Sequence, residues 1–270
     1  MNKFAAWIAG WTSPYAYPIG LRVFSALVYF WFVLSAFLVW DIRTLLWGQE
    51  SVMMRFGMQA DVSLTYAYSL MFSPELFPFV FYPHVIAAVV SMFQFRGVFV
   101  FRIITWLTGI LLFYAAPNAF NAGFLLMLLL AFYCIPIHTK NNKPWQHVLN
   151  HAVAYAAMIQ VALAYGFSAM YKISGDMWLN GDAVYYALEL RRFSSEWICG
   201  ITQYHGLMKL LTWTVLAYQV AFPILVWIKK VKAPLLWLGV AMHLVIGIVM
   251  HLWDFSAAML IAYVAFWKKT

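Results

Sequence analysis

The chain has 270 residues, of which 65% are hydrophobic, 20% are aromatic and only 10% are charged. A soluble domain carries about 25% charged residues, and a water-soluble core could not enclose so much apolar surface, so the composition indicates an integral membrane protein. Long uninterrupted apolar runs favour helices over a barrel, whose strands alternate over about ten residues. The net charge of +8 indicates membrane sidedness rather than nucleic acid binding.

Eight apolar segments predict an all-α bundle of about eight transmembrane helices, in one domain that covers residues 1–270. A span needs about 20 apolar residues, which the first, fifth and sixth segments reach most easily. Residues 1–18, which glycine and proline interrupt, are expected to lie at the membrane interface. The predicted spans are 19–40, 75–94, 98–116, 119–137, 147–171, 205–228, 233–250 and 253–267.

The charges of the loops predict the orientation. With eight spans, both termini fall on one side of the membrane, and all nine acidic residues fall on the other. The positive-inside rule makes the side of the termini cytoplasmic, so the long loops 41–74 and 172–204 face outward, and long loops commonly carry function. The cytoplasmic side has eleven of the seventeen basic residues: Lys3, Arg22, Arg96, Arg102, Lys140, Lys143, Lys229, Lys230, Lys232, Lys268 and Lys269.

The stretch YGFSAMYKISGDMWLNGDAVYY, which begins at Tyr165, joins a long apolar helix to the second outer loop. Tyr165, Ser168 and Lys172 recur at helical spacing and share one face. A lysine beside such a polar face can act as a general base, but a lysine at a helix end also commonly extends to lipid headgroups. Trp178 is expected at the membrane interface, and the glycines and acids around it favour a structural turn over a cation site.

His243 lies in the middle of the seventh predicted span, between Gly239 and Gly247, which would let a neighbouring helix approach closely. An ionisable residue inside a span is a functional candidate; the alternative is a neutral histidine that hydrogen-bonds another helix. Gln219 is its expected partner. Pro223, four residues after Gln219, cannot donate to the Gln219 carbonyl, so this helix should kink and line a cavity.

Other polar residues give weaker indications. Arg191 and Arg192 in the outer loop could bind an anionic substrate or a lipid headgroup, or form a solvated face. His147 and His151 have a spacing that suits one metal ion, but no third ligand accompanies them, so no metal site is predicted.

Two segments resemble the family of HTTM domains, the transmembrane domain shared with the vitamin K-dependent gamma-carboxylases. In the stretch YGFSAMYKISGDMWLNGDAVYYAL, Lys172, Trp178 and Gly181 match the family pattern. The later run YQVAFPILVWIKKVKAPLLWLGVAMHLVIGIVMHLWDFSAAMLIAYVAF also looks like the family. The first half agrees in its span pattern and in Arg22. The matching residues of the later run are Gln219, Pro223, Lys229, Lys230, His243 and Phe255.

The resemblance implies a chemistry at the outer face. In the carboxylases a lysine at this turn acts as the base when oxygen oxidises vitamin K hydroquinone, and the strong base so formed removes a proton from a glutamate side chain, which then takes up carbon dioxide. By this resemblance Lys172 and His243 would be catalytic. The carboxylases have two adjacent lysines at this turn, whereas here Ile173 follows Lys172. A quinol-type, vitamin K-like cofactor would contact Gln219, Tyr165, Ser168 and Trp178, and the substrate would contact Arg191 and Arg192.

Two functional hypotheses follow. The first is a gamma-carboxylase-like protein of a bacterial inner membrane, which uses a quinol-type cofactor to modify or mature an exported peptide or protein. The second is a non-catalytic membrane partner or immunity-type protein, which binds a secreted peptide or an export component through the same loops. A transporter is less favoured because the two halves show no inverted repeat.

Overall fold

The computed structural model describes residues 3–14, 18–48, 75–116, 119–137, 143–190 and 199–266. All regular secondary structure in these residues is helical, as the sequence predicts. The chain forms two compact units, Met1–Tyr155 and Ala156–Thr270. The expectation of a single domain stays a prediction.

The helices follow one another with short connections. Those of the first unit are α1 (Lys3–Thr12), α2 (Pro18–Leu38), α3 (Arg43–Trp47), α4 (Phe77–Ser91), α5 (Val98–Ala115) and α6 (Ala122–Cys134). Helix α7 (Pro144–Ile173) contains the boundary between the units. Those of the second unit are α8 (Asp176–Leu179), α9 (Ala183–Glu189), α10 (Cys199–Thr202), α11 (His205–Leu225), α12 (Lys229–Met250) and α13 (Trp253–Tyr263), which a 3₁₀ turn extends to Phe266.

Five helices of the described residues, namely α2, α5, α7, α11 and α12, are long and apolar enough to cross a membrane. Three shorter apolar helices, α4, α6 and α13 with its 3₁₀ extension, match the remaining predicted spans. Helix α6 is shorter than predicted because the Asn121 side chain accepts a hydrogen bond from the Gly123 amide at 2.8 Å and so caps its start. The chain is therefore a multi-pass helical membrane protein.

In the first unit, α4 packs along α5, and α2 packs against α4 and α6. Trp47 stacks on Phe77, and its indole donates a hydrogen bond to the Leu112 carbonyl at 2.9 Å. This bond satisfies a buried polar group that lipid could not satisfy.

The fully buried Arg102 links two helices of the first unit. Its Nη1 atom donates hydrogen bonds to the carbonyls of Cys134 at 2.9 Å and Ile137 at 3.1 Å. These carbonyls lie at the carboxyl end of α6, where a cation is favoured by the helix dipole. The amino-terminal part of α5 and the carboxyl end of α6 therefore lie together, as in two adjacent antiparallel helices.

Residues 174–190, which the sequence predicts to be part of a polar loop, form a docked segment that contains the short helices α8 and α9. The Trp213 indole donates to the Leu179 carbonyl at 3.1 Å, and the Val184 amide donates to Thr212 Oγ1 at 3.0 Å. Both bonds fasten the docked segment to α11. Arg191, Arg192 and most of the loop 41–74 lie outside the described residues.

Gly181 gives the docked segment its turn. Its φ angle is +85°, and a Cβ atom at this position would lie 3.0 Å from Lys209 and 3.2 Å from Trp213. Only glycine adopts this left-handed conformation without strain, so Gly181 permits both the turn and the close approach to α11.

We expect the substitution Gly181→Ala to lower the free energy of unfolding by about 1–2 kcal/mol, which is the cost of left-handed backbone in a residue with a Cβ atom. Gly206→Ala is the matched control, because Gly206 lies in α11 and a Cβ atom added there would have no other atom within 4 Å. Thermal unfolding in detergent micelles measures the difference. Equal melting temperatures for the two variants would show that the segment does not depend on this turn.

Candidate functional site

The predicted polar face of α7 exists in the structure and extends to α11. Lys172 Nζ donates a hydrogen bond to Ser168 Oγ at 2.7 Å, one helical turn earlier. Ser168 Oγ donates in turn to Gln219 Oε1 at 3.1 Å. These three half-buried residues form a polar line of an ammonium group, a hydroxyl group and an amide.

Trp178 covers the end of the polar line. Its ring centroid lies 4.7 Å from Lys172 Nζ, which is the geometry of a cation–π contact. Among the residues that the structure describes, no carboxylate pairs with this ammonium. Lys172 is thus turned back toward its own helix and held by Ser168 and Trp178, unlike a lysine that extends to lipid headgroups.

A second polar group lies deeper in the same unit. The Tyr165 hydroxyl contacts His243 Nε2 at 2.6 Å and also bonds the Tyr263 hydroxyl. The Tyr263 hydroxyl lies 3.0 Å from the Tyr218 hydroxyl, which donates to the Leu235 carbonyl at 3.3 Å. We call Tyr165, His243, Tyr263 and Tyr218 the tyrosine cluster; all four side chains are buried, with at most 4% exposed.

The polar line and the tyrosine cluster adjoin. Tyr165 and Ser168 are three residues apart on α7, and Tyr218 and Gln219 are neighbours on α11. Phe222, whose ring centroid lies 4.4 Å from that of Tyr165, packs between these two helices. One region of the second unit therefore holds both polar groups.

The expected pairing of His243 with Gln219 is wrong. His243 bonds Tyr165, and Gln219 bonds Ser168. Successive residues of a helix point in directions about 100° apart, so Tyr218, rather than Gln219, faces the histidine's neighbours.

The glycines around His243 have the role that the sequence predicts. A Cβ atom on Gly239 would collide with the hydroxyls of Tyr218 and Tyr263, so this position has to be glycine for the tyrosine cluster to form. His243 itself is 2% exposed, and its Nδ1 atom has no hydrogen-bond partner among the described residues.

Sequence reasoning missed Tyr218 and Tyr263. Tyrosines in spans usually lie at the membrane interfaces, and Tyr263 stands close enough to the end of the last predicted span to fit that role. Tyr218, well inside its span and next to Gln219, is the signal that could have indicated the cluster. The predicted substrate contacts of Arg191 and Arg192 fall outside the described residues and stay predictions.

Comparison of the chain with protein-family models, with curated proteins and with solved structures gives no match. Function is therefore inferred from the geometry of this site together with the resemblance to the HTTM domains.

The substitution Tyr263→Phe is expected to lower the free energy of unfolding by about 1–2 kcal/mol, because it leaves two buried tyrosine hydroxyls without their shared partner. Tyr171→Phe is the matched control, since Tyr171 is 86% exposed on α7 and its loss should change stability by less than about 0.5 kcal/mol. Unfolding of both variants in mixed micelles tests this. A Tyr263→Phe protein as stable as the control would show that the cluster does not stabilise the fold.

Proposed function

We propose that this protein is a gamma-carboxylase-like enzyme of the HTTM type, which uses a quinol-type cofactor to modify or mature an exported peptide or protein. One observation carries the proposal: the Lys172 ammonium has no carboxylate partner among the described residues and stands at the end of a polar line beside a buried tyrosine cluster. A lysine in such a site can serve as a general base.

The residues present fit a quinol head group. Its ring would pack against Trp178, and its hydroxyl groups would meet the side chains of Ser168 and Gln219, which combine donors and acceptors. The buried, unpartnered Nδ1 atom of His243 is a further site for a ligand hydroxyl. When bound, a quinol supplies reducing equivalents for oxygen. Lys172, in its neutral form, would take a proton from the ligand.

The proposal includes eight membrane spans with both termini in the cytoplasm of a bacterium and Lys172 at the outer face. It is supported by the eight apolar helices, which match the predicted spans in order. It is also supported by Arg102, which joins the amino-terminal part of α5 to the carboxyl end of α6. Adjacent antiparallel spans require these two ends to lie on the same side.

The substitution Lys172→Met should reduce quinol-dependent oxygen uptake by at least about 100-fold, because it removes the base and keeps the apolar stem. Lys230→Met is the matched control, since Lys230 is exposed at the start of α12. Uptake is measured with an oxygen electrode after reconstitution into liposomes with a naphthoquinol. Equal uptake by the two variants would remove Lys172 from catalysis.

The non-catalytic alternative predicts a different pattern. A partner or immunity-type protein should lose its cellular function when Arg191 and Arg192 are changed to glutamate, and should keep it when Lys172 is changed to methionine. The enzyme that we propose requires Lys172 in the same cellular assay.

The orientation is tested with single cysteines in a background that lacks Cys134 and Cys199. Ser174, exposed just after α7, and Lys230 are replaced in turn. A membrane-impermeant maleimide should label Ser174→Cys on intact cells and Lys230→Cys only after the cells are opened. Labelling of both on intact cells would contradict the eight-span topology.

A further inference from the structure

The tyrosine cluster contains four contacts between polar atoms, and each is a hydrogen bond only if one hydrogen lies in it. They join His243 Nε2 to Tyr165, Tyr165 to Tyr263, Tyr263 to Tyr218, and Tyr218 to the Leu235 carbonyl. The three hydroxyl groups bring three hydrogens, and the carbonyl brings none. The fourth hydrogen has to come from His243 Nε2.

This count determines the tautomer of His243. A neutral imidazole carries one ring hydrogen, and with that hydrogen on Nε2 the donors run in one direction from His243 through the three tyrosines to Leu235. With the hydrogen on Nδ1, three hydrogens would serve four contacts, and two buried oxygen atoms would face each other without one. A doubly protonated ring would bury a charge that no carboxylate of the described residues pairs with. Nδ1 therefore presents a bare lone pair.

A second unpartnered atom lies on the neighbouring helix. Ser256 Oγ on α13 is buried and has no hydrogen-bond partner among the described residues. A Cβ atom on Gly247, one turn after His243, would lie 3.1 Å from Ser256 Oγ. Phe255, next to Ser256, has its ring centroid 5.5 Å from that of His243. Both unpartnered atoms thus belong to the contact between α12 and α13.

We propose that His243 Nδ1 and Ser256 Oγ together form a binding point for a hydroxyl group, and that this point selects the reduced quinol over the oxidised quinone. A ligand hydroxyl can donate to Nδ1 and accept from Ser256. A quinone carbonyl has no hydrogen to donate, so it would place its lone pairs against that of Nδ1. The ligand class rests on the proposed function; the preference for a donor follows from the hydrogen count.

The tautomer is tested first, without any ligand. Protein labelled with ¹⁵N-histidine is compared with His243→Gln by NMR, which assigns the His243 nitrogens. We expect Nε2 to carry the hydrogen and Nδ1 to be unprotonated. A hydrogen on Nδ1 would overturn the proposal.

Ligand binding is tested with a matched pair of variants. His243→Gln places an amide N–H near the position of Nε2, so it keeps the donor to Tyr165 and loses the acceptor. His243→Asn places an amide oxygen near the position of Nδ1, so it keeps the acceptor and loses the bond to Tyr165. Binding of a short-chain naphthoquinol and of its naphthoquinone is measured anaerobically by quenching of tryptophan fluorescence in micelles.

We expect the wild-type protein to bind the quinol at least about fivefold more tightly than the quinone, which is the cost of one unpaired buried acceptor. His243→Gln should bind both forms equally within about twofold, and His243→Asn should keep the preference although it is less stable. Ser256→Ala should weaken quinol binding by about two- to tenfold.

Two results would overturn the proposal: equal binding of both forms by the wild-type protein, or a preference that survives in His243→Gln. If neither compound binds while Nε2 carries the hydrogen, the hydroxyl at this point belongs to water and the ligand assignment is wrong. The proposed function fails separately, since a protein that prefers the quinol but consumes no oxygen would refute the activity and leave the binding point in place.

Discussion

Inside a membrane, the hydroxyl group of a buried tyrosine can find a hydrogen-bond partner only within the protein. The Tyr165 hydroxyl of α7 meets this requirement through His243 on α12 and Tyr263 on α13, and Tyr263 extends the contacts to Tyr218 on α11. One cluster thus joins four helices of the second unit. Gly239 makes the arrangement possible, because any larger residue would displace two of the hydroxyls.

The position of Lys172 depends on this cluster. Tyr165 fixes one face of α7 against α11, and the next polar residues along that face are Ser168 and Lys172, which extend the contact toward the helix end. Trp178 then covers the ammonium, because the docked segment that carries it is hydrogen-bonded to α11. The site therefore combines a rigid, buried lower part with an accessible upper part, which is the arrangement that a lipid-soluble ligand with a polar head requires.

Much of the fold could be predicted from the sequence, because apolar runs report helices directly and the spacing of Tyr165, Ser168 and Lys172 defines one helix face. The partners of those residues could not, since they depend on how each helix is rotated against its neighbours. For this reason the sequence pairs His243 with Gln219, whereas the structure pairs it with Tyr165. The docked segment was also missed: its polar composition suggests a loop, and only Gly181 and the contacts with α11 show why it folds.

The proposed quinol site is tested most directly by purifying the protein in a mild detergent, extracting its lipids and measuring quinones by mass spectrometry. We expect the wild-type protein and Tyr171→Phe to retain a quinone in an amount comparable to that of the protein, and His243→Gln to retain much less. A wild-type protein that carries no more quinone than an unrelated membrane protein from the same cells would contradict the account.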